Sequence, residues 1–177
     1  MNFVDTNVKA VFYTSQAAYP IRTHIGKLFL WSNVSHSAIL FTQGDKKYIY
    51  VMNPKGGKYL ISLEKYEWFL KMRDIKLKQK VVDLGSVPIS LHQLSYYLDR
   101  PKFKIAPLYE QVFWWLIGRH LSKTYQPMTC ALTASYLLRI CGFKVDLHIA
   151  PHSLYKEIRN GVDNHFRSSP SGEDIVG

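Results

Sequence analysis

Two residues of this 177-residue chain stand where nucleophilic chemistry is feasible. Cys130 follows Tyr125-Gln126-Pro127-Met128-Thr129 and opens an apolar stretch that Gly142 closes. Read as a helix, that stretch puts the thiol at an N-terminus, where free N–H groups and the positive dipole end favour thiolate. The same groups can stabilise a tetrahedral oxyanion. A lone cysteine in an apolar helix is ordinarily core, so position alone leaves both readings open. Cys141 sits at the opposite end, where the dipole disfavours thiolate, and reads as structural. The two cysteines lie about three turns apart, roughly 16 Å at 1.5 Å per residue, which is too far for a disulfide.

A thiol nucleophile needs a base. Of seven histidines, His36 stands out, because it enters a strand between Ser35 and Ser37 after a loop. A base at a strand edge can meet a helix N-terminus across a groove. Its bland reading is a surface histidine at a strand start. His148 alternates with apolar residues, as a sheet histidine does, and His152, after Pro151, reads as a helix-start residue. His24, His92 and His120 read as helix-face residues, and His165 falls in a polar tail. No pair has metal-ligand spacing, and neither metal nor cofactor is expected.

The elements that must position these groups follow from hydrophobic period. Residues 9–13 read as a short strand and 20–31 as an amphipathic helix. Residues 37–42 and 47–52 read as the two strands of a hairpin turning at Gln43-Gly44-Asp45-Lys46, with 53–57 as a break. A helix is expected over 62–72 with Ser62 as N-cap, then a strand over 76–84 and a helix over 90–99. Further helices are expected over 108–121 and 129–141, then a short strand at 143–149 and a last helix from Ser153. The expected architecture is α+β, a small mostly antiparallel sheet packed against the Cys130 helix. The expected domain spans 1–159, followed by a polar C-terminal tail at 160–177 that reads as a tail or a partner-binding arm.

The stretch TCALTASYLLRICGF resembles the nucleophile helix of NlpC-type papain-like hydrolases, and SHSAILFTQGDKKYIYVM resembles their histidine hairpin. Ordinary members of that superfamily place Cys before His. Here His36 precedes Cys130, an order similar to the circularly permuted branch that includes lecithin retinol acyltransferase-like proteins. The resemblance spans roughly residues 8–157 and extends to the Pro-led APHSLYKEI. It implies a permuted papain-like fold and a Cys130–His36 dyad. It also implies a third polar residue on the return strand. Aligned hairpins put Tyr50 nearest that place, with Asn53 as the other candidate. Tyrosine departs from the family pattern, because it can hydrogen-bond an imidazole but cannot stabilise imidazolium as a carboxylate does. Tyr125 and Gln126 are the candidate oxyanion or substrate contacts.

The implied activity is thiol hydrolysis of an amide or ester, a cell-wall peptide or an acyl substrate. The alternative is a catalytically inactive papain-like protein serving structure or assembly, such as a phage virion component. The polar tail and Phe113-Trp114-Trp115 would serve such a role. Composition is compatible with both. Hydrophobic residues make up 47% and aromatics 14%, which excludes a wholly disordered chain. Lys and Arg number 23 against 13 Asp and Glu, so the net charge of +10 favours an anionic partner or simply keeps an aromatic-rich chain in solution. Nucleic acid ranks below the other partners, because the basic run KLKQK at 76–80 belongs to no binding motif and also suits a solvated strand edge. No signal-peptide pattern and no apolar run near the ~20 residues of a membrane span is visible. A cytoplasmic or virion-associated location is the expectation.

Overall fold

The structure is a computed structural model that describes residues 5–16, 34, 36–53, 57–73, 75, 77–98, 103–105, 126–148 and 150–161. The expected helices at 20–31 and 108–121, the Phe113-Trp114-Trp115 cluster and residues 162–177 of the expected tail lie outside the described residues.

Strands β1 (Thr6–Gln16), β2 (His36–Gln43), β3 (Lys46–Asn53), β4 (Gly57–Ser62) and β5 (Leu77–Val87) form one antiparallel sheet in the order β4-β3-β2-β1-β5. Among the described residues there are four helices: α1 (Leu63–Met72), α2 (Leu91–Leu98), α3 (Cys130–Ile140) and α4 (Pro151–Gly161). The architecture is therefore α+β. A short parallel pair, β6 (Phe103–Ile105) with β7 (Gln126–Met128), stands apart from the main sheet and leads into α3.

Period two along β1 explains why both sheet faces are covered. Val8, Ala10 and Phe12 point to one face, into a core shared with Ile39, Phe41 and Tyr50 from the sheet, Ala131, Ala134, Leu137 and Leu138 from α3, and Leu154 and Ile158 from α4. Val11 and Tyr13 point to the other face, with Ala38, Ile49 and Val51, where Leu63 and Tyr66 of α1 pack. α1 covers that face without burying any residue fully; Trp68 and Met72, one turn apart, stay 60% and 67% exposed. No helix among the described residues is long and apolar enough to cross a membrane.

The hairpin turn and the Cys130 helix form where their local chemistry directs. Gly44-Asp45 is the two-residue link between β2 and β3, and Gly44 takes a φ of 56°. Thr129 caps α3, its side chain accepting from the Leu132 N–H at 3.1 Å. The helix ends at Gly142, whose φ is 87° and whose N–H donates to the Arg139 carbonyl at 2.9 Å. A Cβ on Gly142 would meet nothing within 4 Å, so only backbone strain opposes a side chain there. Gly142→Ala should accordingly cost about 1–2 kcal/mol, read as a lower denaturant midpoint at unchanged slope.

Three expectations change. Residues 57–62 form strand β4, paired with β3 from Asn53↔Gly57 to Tyr48↔Ser62, so Ser62 ends a strand and also caps α1. Residues 143–148 form no strand. Side chains from the flanking helices take up their backbone groups instead: Arg139 Nε donates to the Val145 carbonyl at 2.6 Å, the Asp146 N–H to the Glu157 carboxylate, and the His148 N–H to Ser135 Oγ at 3.3 Å. The last helix begins at Pro151, two residues before Ser153, and runs to Gly161, taking in Asn160 and Gly161, the expected start of the tail.

Candidate active site

The site forms where the sheet is locally incomplete. The β1–β2 ladder runs to Tyr13↔His36, whereas the β2–β3 ladder begins at Ile39↔Tyr50. The first residues of β2 thus have a paired neighbour on the β1 side only, and the N-terminus of α3 meets them there. His36 and Ser37 are the groups that act on the Cys130 thiol there. Cys130 is half-buried and unbridged, and so is the buried Cys141 unbridged.

Burial of the Cys130 sulfur pushes its pKa up. The charge and hydrogen bond of His36, then the backbone N–H and hydroxyl of Ser37, outweigh that penalty and hold the thiol below its ordinary value. Cys141 has only burial acting on it and is pushed up to about 12. The two thiols of one helix therefore differ because of what faces them.

His36 is backed by an aromatic layer that the sequence reading missed. Tyr13, its cross-strand partner, stacks on the imidazole with ring centroids 5.9 Å apart and planes at 21°. The Tyr13 and Tyr66 hydroxyls share a hydrogen bond, which ties α1 to the back of the site; burial first of all raises the pKa of both phenols.

Tyr50 stands on the Cys130 side of the site. Its register partner is Ile39, and its hydroxyl faces the Thr133 hydroxyl and the Cys130 thiol. Burial first of all raises its pKa, against a lowering contact from Thr133. Tyr50 is 2% and Ser37 3% exposed, and neither hydroxyl has an aligned hydrogen-bond partner. Buried hydroxyls without a well-aligned partner are costly to maintain. Thr133 Oγ1 donates to the Thr129 carbonyl at 3.0 Å and so remains available as an acceptor toward Tyr50.

Asn53 ends β3. It pairs with Gly57 of β4, and the β2–β3 ladder stops at Ile39↔Tyr50, short of it. Gln126 lies in β7, paired with Phe103, and Tyr125 falls outside the described residues. His148 is not a sheet histidine; its Nε2 pairs with the Glu157 carboxylate and ties the segment before α4 to that helix. His152 is the second residue of α4. Among the described residues no three His, Cys, Asp or Glu side chains converge as a metal site would require. The adjacency of Ser37 to His36 was legible in the chain, but the approach of Tyr13, Tyr50 and Thr133 is long-range and had no local signal.

The chain matches no protein-family model and no curated protein sequence.

Proposed function

We propose that the chain is a thiol hydrolase or acyltransferase of permuted papain-like architecture, acting on an amide or ester through Cys130 and His36. One observation carries the reading: the Cys130 thiol opens α3 facing His36 and Ser37, and these groups hold it below its ordinary pKa although burial opposes this.

The thiolate attacks the carbonyl carbon, and the carbonyl π electrons move to oxygen. Helix geometry leaves the first N–H groups of α3 without intrahelical acceptors; Thr129 Oγ1 takes that of Leu132, and those of Cys130 and Ala131 remain for an oxyanion. Ser37 and Tyr50 supply hydroxyl donors at the same sulfur. The tetrahedral intermediate collapses as the C–N or C–O bond breaks, and His36 passes its proton to the leaving amine or alcohol. Water or an acceptor alcohol then attacks the thioester with His36 as base. In this scheme Tyr50 serves the oxyanion.

A second reading is a binding or assembly protein that keeps the geometry without turnover, possessing in Trp68 and Met72 an exposed apolar ridge. Incubation with p-nitrophenyl acetate, followed by intact-mass and site-mapped mass spectrometry, separates the two. The enzyme reading expects p-nitrophenol release and an acetyl group on Cys130, both lost in Cys130→Ser. Release without Cys130 acetylation, or equal release from Cys130→Ser, would overturn it.

A further inference from the structure

The face of the sheet that carries Cys130 also carries a cluster of positive charge with no assigned partner. Lys80 of β5 pairs with Phe12 of β1, and Phe12 pairs with Ser37 of β2, so these three residues form one row on one face. At the inner end of the row Ser37 acts on the Cys130 thiol. At the outer end the Lys80 ammonium lies 4.9 Å from the centroid of the Tyr155 ring, and Tyr155 packs edge-on against Phe12 with centroids 5.1 Å apart. His152 and Lys156, four residues apart on one side of α4, lie within electrostatic reach of each other, and Lys80 lies within reach of His152.

Nothing described neutralises these groups. Glu157 is committed to His148 and the Asp146 N–H, Asp83 to Lys9, and Asp146 to Arg139. His152 Nδ1 is buried with no hydrogen-bond partner. Burial, then Lys156, then Lys80 lower the pKa of its imidazole, as expected where cations gather without a counter-charge.

We propose that Lys80, His152 and Lys156 form an anion-binding subsite that holds an oxyanion, phosphate or carboxylate, carried by the substrate of Cys130. Two strand spacings, roughly 10 Å, separate the Lys80 and Ser37 backbones, which sets the scale of the span from anion to reacting carbonyl. The subsite rests on the reading of Cys130 as the nucleophile, and it narrows the substrate to acyl compounds anionic at that distance. Both lysines are exposed, so the effect is expected at low ionic strength and fades with salt.

The test uses three bromoacetamides on the full chain, each with a tether of roughly 10 Å, ending in a phosphonate, a carboxylate or an uncharged amide. The Cys130 thiolate displaces bromide, forming an S–C bond as the C–Br bond breaks. The ratio of charged to uncharged probe rates is taken within each protein. A ratio of about five to ten is expected at low salt. It should fall to about one in Lys80→Gln/Lys156→Gln and persist in Lys46→Gln, at the far end of the hairpin. Whichever charged probe reacts faster identifies the preferred anion. A ratio near one in the wild type, or one unchanged in the double variant, overturns the subsite.

Inorganic phosphate gives the second readout. It should shift the His152 imidazole resonances in the wild type and not in the double variant, and equal behaviour in both would refute anion binding there. Iodoacetamide labelling of wild type against His36→Ala judges the nucleophile alone. Failure of the dyad is thereby told apart from failure of the subsite.

Discussion

Replacing His36 with alanine should lower Cys130 alkylation by iodoacetamide at pH 7, by about tenfold for each unit the thiol pKa rises. The direction follows from the charges. Burial disfavours the thiolate, and His36 is the first-named group that reverses this. Removing it leaves burial opposed only by the N–H and hydroxyl of Ser37. A thiol with its pKa below the ordinary ~8.5 stays ionised at lower pH and alkylates there. Without His36 the pKa rises, and the rate-against-pH curve moves to higher pH, each unit costing about tenfold below the pKa. Cys141 of the same helix, pushed up to about 12, is an internal control expected to remain unlabelled near neutrality in both proteins. Superimposed profiles for Cys130 in wild type and variant would remove the dyad, and with it the enzymatic reading.

The largest stability effect is expected at Phe12. The side chain is fully buried in an interior strand, between the Lys80 and Ser37 positions, and the Tyr155 ring packs edge-on against it. Phe12→Ala should cost about 3–5 kcal/mol, from lost burial together with the cavity left behind. The denaturant midpoint should fall at unchanged slope. Trp68→Ala makes the contrast. The larger side chain is 60% exposed on α1, and its removal should change stability by no more than about 0.5 kcal/mol. Equal losses at the two positions would show that the Phe12 face is not the core.

Much of the scaffold was readable locally. Thr129, the small and apolar residues after it and Gly142 mark the start, body and end of α3, because caps and period act within a few residues. The Gly44-Asp45 turn marks the hairpin for the same reason. β4 escaped notice because its few residues follow a Pro/Gly-rich break and run straight into α1. Residues 143–148 looked like a strand because apolar residues alternate there. The acceptors and donors that keep their backbone out of a ladder belong to Arg139, Ser135 and Glu157, on helices the local pattern cannot place.

The same division runs through the candidate site. The amino-acid order alone determined that a thiol would open a capped helix and that a histidine would open a strand, since each depends on immediate neighbours. Tertiary structure decided what surrounds them. Strand register stacked Tyr13 on His36 and put the Tyr50 hydroxyl at the Cys130 sulfur rather than across from the imidazole. It also set Lys80 in one row with Phe12 and Ser37, while the packing of α4 added His152 and Lys156. Register is chosen by burial of whole faces, which a one-residue slip would invert. These juxtapositions therefore arise only when the sheet and its helices cover one another.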